Sequence, residues 1–268
     1  MDSFIARIDS WCVALAFGAA MFAAFYGGWR WGRRNAELRL DGPGDKLTDA
    51  SVALLGLLLA FTFSMALGRY EQRRQALVAE STAIGDFYTC ASLIQEPLRA
   101  PLQKLVRRYA EEQLDTRPQM LHAAEEEQIH LRSQHEVSEM TTCVDKAIAG
   151  GTPLANMLTL TFNNMTTATA ARIAVFEERL PASIIILLFV NAIVPAFLIG
   201  QRHGAARDAH LTGSLSFILL VTLVVFIILD LNQPHRGLIQ MQQGTLVRQI
   251  ESMGDNSAAS TPSAGATP

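Results

Sequence analysis

Cysteine is scarce in this chain of 268 residues, and charge of either sign is missing from several long stretches of it. The three cysteines, Cys12, Cys90 and Cys143, lack the spacing of a zinc site. Cys90 and Cys143 share one polar region and would bridge only if it faced an oxidising compartment; buried free thiols are the commoner case. Basic residues do not exceed acidic ones: Lys and Arg number 22 against 25 Asp and Glu, a formal net charge of −3. With no large basic patch, nucleic acid is not an expected partner. No Walker loop, Gly-x-Gly-x-x-Gly fingerprint, Gly-x-Ser-x-Gly elbow or Cys/His nucleophile pair occurs, so neither an enzyme nor a cofactor is expected. Glu127 and His130 have a Glu-x-x-His spacing, but only one copy exists, within the acidic run Glu125 to Glu127. His122, His130 and His135 do not align on one helix face. A solvated face accounts for them, and no metal is expected.

What is present instead is four windows almost free of charge: Ser10 to Trp29, Ala50 to Gly68, Leu180 to Gln201 and Leu211 to Leu229. Each approaches the ~20 residues that carry a helix across a ~30 Å hydrocarbon layer. Arginines flank them, which favours membrane spans over buried core helices. The first window resembles a signal peptide in its small residues. However, the segment before it holds Asp2, Arg7 and Asp9, and Trp11, Trp29 and Trp31 bracket it as interfacial anchors do, so it reads as a retained span.

Between the second and third windows the composition changes to charged sequence poor in glycine until Gly150 and Gly151, which reads as helix. Its punctuation, Pro97 and Pro101, Arg117-Pro118 and Gly150-Gly151-Thr152-Pro153, gives helices near 69–96, 98–115, 119–149 and 153–180. Thr152 before Pro153 suits an N-cap with proline in the first turn. The expected fold is therefore an all-α membrane protein with four transmembrane helices in two hairpins and a helical extramembrane domain between the second and third spans. Its parts are a first hairpin at 1–68, a stalk and cap at 69–180, a second hairpin at 181–230, an amphipathic helix at 231–253 and a disordered tail at 254–268.

Nothing in FTFSMALGRYEQRRQALVAE (residues 61–80) would stop a helix. The series Phe63, Ala66, Tyr70, Arg73, Leu77, Glu80, Ile84, Phe87, Ala91, Ile94 steps by three and four without a break, so one helix is expected from about Ala50 to Glu96. A second stripe, Leu154, Leu158, Phe162, Met165, Thr169, Ile173, Phe176 and Leu180, supplies an antiparallel partner. Arg73 and Glu80 interrupt the first stripe with charge. Either they reach solvent along a tilted stripe, or they form a polar layer that lines a water-filled interior or fixes register between subunits. Asp230 ends the fourth window, as a solvated helix end or paired with Arg69 or Arg73. Pro234 and Gly237 then turn the chain toward the amphipathic helix, expected from Leu238 to Met253. Within the spans, Asn191 and Pro195 interrupt the third, either beside a path or as an interhelical bond and a bend. Thr62 and Ser64 lie near the outlet of the second, the better candidate to line a pore. Thr222 is the one mid-span polar group of the fourth, which suits a helix that faces lipid or packs quietly.

The blocks GLLLAFTFSMALGRYEQRRQALVAESTAIGDFY (56–88), PLRAPLQKLVRRYAEEQLD (97–115) and LDLNQPHRGLI (229–239) resemble the bacterial bestrophin-like domain family, over most of residues 50–250. Arg69, Tyr70, Arg73 and Arg74 match its R-Y-x-x-R-R segment, Glu80 precedes its Ile-Gly pair, and Asp230, Pro234 and Gly237 match its closing D-x-x-x-P-x-x-G. The resemblance implies an oligomeric anion channel, a path for inorganic ions in a lipid bilayer; this chain departs from the bestrophin pattern in showing no acidic calcium clasp. The alternative is a non-conducting, membrane-anchored interaction or sensing protein. Either is expected as a multi-pass protein of the plasma (inner) membrane. Basic residues in the hairpin loops and beside the membrane on the domain side balance, so they set no orientation.

Overall fold

The computed structural model describes residues 10–35, 44–115, 123–178, 181–206, 212–232 and 244–259. These form eight helices and, among the described residues, no strand. In chain order they are α1 (Ser10–Arg34), α2 (Gly44–Ser92), α3 (Arg99–Asp115), α4 (Ala123–Ala149), α5 (Ala155–Glu177), α6 (Ala182–Ala206), α7 (Thr212–Asn232) and α8 (Gly244–Ala259). Four of them, α1, α2, α6 and α7, are long and apolar enough to cross a membrane. The chain is an all-α membrane protein. In lipid a helix satisfies every backbone donor and acceptor within its own segment, which is why apolar windows of this length become helices.

Two compact units divide the chain, residues Met1–Glu71 with Glu178–Gln240, and Gln72–Glu177 with Met241–Pro268. The boundary falls inside α2, which is unbroken over 49 residues, about 74 Å at 1.5 Å per residue. The helix stops at Ser92, short of the expected Glu96. Pro97 accounts for this, because it disfavours helical geometry in the residue before it, and residues 93–98 form turns.

In the first unit the closest backbone approach lies between α1 and α6, the first and third spans, rather than within a hairpin. Gly28 faces the backbone of Phe197 and Gln201, and Gly32 that of Gln201 and Ala205. Reciprocally, Gly200 faces Phe25 and Trp29, and Gly204 faces Trp29 and Arg33. The numbers rise together, so the two helices run parallel, as odd-numbered spans must. A Cβ at any of these glycines would run into a backbone carbonyl of the facing helix. Each helix thus carries a Gly-xxx-Gly pair, the spacing that lets apolar helices meet backbone to backbone where water supplies no hydrophobic drive. Around this contact Phe17, Met21, Phe25, Leu55, Leu188, Ala192, Val221 and Val225 form one buried cluster, in which the Phe17 and Phe189 rings stand 4.6 Å apart. Pro195 does not break α6, which runs through it. Thr222 packs on Gly18 and turns its hydroxyl to the Ile218 carbonyl at 2.7 Å. Trp11 and Trp31 stay exposed near the two ends of α1, as interfacial anchors do.

In the second unit α2 and α5 run antiparallel. Phe87 meets Phe162 at 5.3 Å between ring centroids, while Glu80 meets Arg172, so numbers rise on one helix as they fall on the other. Leu102, Val106 and Tyr109 of α3, Met140 and Val144 of α4 and Leu158 and Met165 of α5 join them in one core. Gly151, at φ 73, ends α4: its N–H bonds Ile148 O at 2.9 Å and the Thr152 N–H bonds Ala147 O at 3.3 Å, a Schellman closure. The Thr152 hydroxyl then accepts the Leu154 N–H at 3.4 Å, the expected N-cap.

The C-terminal helix α8 packs on the same core through Leu246 and Met253. Tyr88 donates its hydroxyl to the Met253 carbonyl at 2.9 Å, and the Gln249 side chain occupies the space over Gly85. The helix continues to Ala259, into the segment expected as tail, because a docked turn nucleates the turns that follow it. The expected start at Leu238 lies outside the described residues.

Replacing Gly28 or Gly200 by valine is expected to lower stability by about 1–3 kcal/mol or more, the cost of overpacking a rigid contact. Gly27→Ala, beside which nothing lies within 4 Å, should leave it unchanged. Thermal unfolding in detergent, followed by size-exclusion fluorescence, measures both.

Candidate functional site

The most polar interior of the second unit is a relay across four helices. Glu80 of α2 and Arg172 of α5 form an ion pair, Nε to Oε2 at 2.7 Å, in which the N–H is not aimed along the bond. Arg172 also donates from Nη2 to Gln113 Oε1 of α3 at 2.6 Å, and Gln113 donates from Nε2 to Ser133 Oγ of α4 at 3.4 Å. Thr169, one turn before Arg172, donates its hydroxyl to the Met165 carbonyl at 3.1 Å, so it accepts from the Tyr109 phenol at 2.9 Å. These side chains meet because Arg73, Glu80 and Phe87 are spaced by sevens on the inner face of α2, while Met165, Thr169 and Arg172 repeat at three and four on α5.

Burial sets the electrostatics. Glu80 keeps 2 % of its surface exposed and Arg73 none. Glu80 lies beyond Gly68, past the apolar window of α2, and its carboxyl is held above the usual carboxylate range by loss of water, which outweighs the lowering by Arg172 and by hydrogen bonds. Burial likewise pushes the Tyr109 phenol up to about 12, so it stays protonated. A second pair closes the outer side of the cap: Arg108 bonds both Glu136 and Glu139. Desolvation raises Glu136 as well, against the pull of Arg108.

The polar residues of the spans are placed differently. Asp230 is buried and accepts from the Ser10 hydroxyl at 3.4 Å. Arg69, one of the two counter-ions expected for it, is paired with Glu178. Thr62 is buried with its hydroxyl returned to its own helix, on Leu58 O at 2.8 Å. Ser64 is exposed. Asn191 is half-buried, and its Nδ2 is buried with no hydrogen-bond partner among the described residues. Pro234 and Gly237 lie outside the described residues, as do the side chains of the Glu125 to His130 run. Among the described residues, no group of three or more His, Cys, Asp and Glu is arranged to hold a metal ion. Cys12, Cys90 and Cys143 are free thiols.

Periodicity therefore singled out Arg73 and Glu80 but missed Arg172, Gln113, Tyr109, Thr169 and Ser133. Arg172 was legible in principle, since it continues the step from Met165 to Thr169. Gln113 and Ser133 carry no such signal, because their neighbours come from helices with no fixed sequence offset.

The family model of the bestrophin-like domain matches residues 15–246, from within α1 into α8. The chain belongs to the bestrophin-like domain family. Comparisons with curated proteins and with solved structures found no match. Within this bestrophin-like chain, the matched stretch contains the whole relay and, apart from the start of α1, the four apolar helices.

Because folding raises the Glu80 pKa above the ordinary 4.5, the native state binds a proton more readily than the unfolded chain. The stability gained is full below pH 4.5 and is lost as pH rises through the raised value. Glu80→Gln should flatten that slope in thermal unfolding between pH 4 and neutrality. Arg172→Met, which strands the carboxylate, should cost about 3–5 kcal/mol near neutral pH. In the Glu80→Gln background the cost should shrink, a coupling that a double-mutant cycle measures.

Proposed function

We propose that this membrane protein is a subunit of an oligomeric ion channel or permeation protein of the plasma (inner) membrane, with the second span lining the axis. One observation carries the reading. On α2, Leu54, Leu57, Phe61, Ser64 and Gly68 recur at three and four residues, all exposed, while Leu55, Thr62 and Ala66 on the other side are buried. A helix that meets only lipid gains from large apolar groups along its whole outer stripe. This one ends in serine and glycine, which suit a path or a close helix contact. Membership of the bestrophin-like family supports the same reading.

A specific feature favours the second reading, a membrane-anchored interaction protein that conducts nothing. Glu80 and Arg172 pair within one chain, which suits a structural seam. A helical fold of this kind serves either role.

Purified protein in vesicles should release potassium, sodium or chloride down a gradient. Ser64→Cys should conduct like the wild type until a charged thiol reagent is added, and then lose most of the flux. Silence under all three gradients would leave the anchored reading standing.

A further inference from the structure

The last turns of α1 carry charge that the described protein does not neutralise. Arg30, Arg33 and Arg34 are all exposed there. Arg30 lies two residues from both Gly28 and Gly32, and Arg34 two from Gly32. At 3.6 residues per turn they therefore fall on the side of α1 away from its glycine contact with α6. Arg33 adjoins them, since steps of three and of one share a helix turn. Among the described residues none of the three is in an ion pair, whereas Arg202, at the end of α6, reaches Asp49 at 3.9 Å and Arg69 is paired with Glu178. The dipole at the C-terminus of α1 amounts to about half a negative charge, well short of three arginines.

Beside them, toward the middle of the span, lies an aromatic floor. The Tyr26 and Trp29 rings stack with centroids 5.8 Å apart, and the Arg33 guanidinium stands 4.8 Å from the centre of the Trp29 ring. Tyr26 is 51 % exposed. Such rings sit where acyl chains give way to headgroups, and arginine stems reach outward from there to the depth of the lipid phosphates. A guanidinium over a ring keeps its N–H edge free for two phosphate oxygens. A zwitterionic headgroup brings a cation of its own, so only a headgroup with net negative charge neutralises the cluster.

We propose that the C-terminal end of α1 is a binding surface for anionic phospholipid, in which Arg30, Arg33 and Arg34 hold headgroup phosphate over the Tyr26 and Trp29 rings. The occupant follows from position and charge. The face is exposed on a helix long and apolar enough to cross a membrane, so lipid lies against it. Three like charges in one turn also repel a second copy of the same face. This surface goes beyond the proposed function and stands whether or not the chain conducts.

Fluorescence quenching of the full chain in vesicles tests it. Trp11→Phe with Trp31→Phe leaves Trp29 as the one tryptophan. In phosphatidylcholine vesicles with a small fraction of lipid brominated on its acyl chains, brominated phosphatidylglycerol should quench Trp29 at a several-fold lower mole fraction than brominated phosphatidylcholine. Arg30→Gln alone should weaken that preference by up to about fivefold, the pull of one basic residue on an anionic surface. Arg30→Gln, Arg33→Gln and Arg34→Gln together should bring the two lipids level while helix content is unchanged. Equal quenching by the two lipids with the arginines intact would overturn the proposal. So would a preference that persists in the triple variant, which would place the lipid elsewhere. Loss of the preference in inorganic phosphate but not in sodium chloride of equal ionic strength would make this a site for free anions, and shielding of Trp29 from both lipids would make protein the occupant; either result overturns the lipid assignment.

Discussion

The stalk depends on one constraint: a carboxylate taken out of water has to find its charge partner within reach. Glu80 sits on the inner face of α2 and meets Arg172 of α5 at 2.7 Å. Removing either charge from water costs several kcal/mol, and only close pairing with further hydrogen bonds returns it. The pair therefore fixes which turn of α5 faces which turn of α2, more sharply than interchangeable apolar contacts do. Gln113 and Ser133 extend the same demand to α3 and α4, and Tyr109 and Thr169 close its edge. The relay also accounts for the raised Glu80 carboxyl, since desolvation exceeds what one arginine compensates.

In the stalk, then, charges that face inward are held by pairing between helices. In the first unit the same economy takes another form. Where solvent is lipid, apolar side chains gain nothing by leaving it, so α1 and α6 associate through the close approach that Gly28, Gly32, Gly200 and Gly204 permit. Shape holds the membrane unit, whereas electrostatics and apolar burial together hold the stalk.

The glycine contact was present in the sequence as Gly28-x-x-x-Gly32 and Gly200-x-x-x-Gly204, yet the hairpin reading paired each span with its chain neighbour and overlooked it. Two Gly-xxx-Gly pairs on spans one and three were a sufficient signal. The antiparallel stalk was read correctly, because both stripes keep a three-and-four spacing and the facing pair Phe87 with Phe162 follows from it, whereas Ile173, expected on the inner stripe, is exposed and Arg172 beside it turns in to Glu80. Arg69 is paired with Glu178, and Asp230 accepts from the Ser10 hydroxyl. No pattern in one chain segment announces which of two acids an arginine will reach.

By itself the sequence determined what is local: four apolar helices, a long uninterrupted α2, the Gly151 closure and Thr152 cap, and the faces that α2 and α5 bury. These follow from side-chain period, turn chemistry and the cost of an unpaired backbone in lipid, all of which act over a few residues. Tertiary structure alone decided that Arg73 and Glu80 are interior rather than solvated, that Arg172 and Gln113 complete the relay, and that the first span lies along the third. Those outcomes turn on distances between segments far apart in the chain, and a charge on an amphipathic stripe is compatible with water or with a partner until the partner is in place.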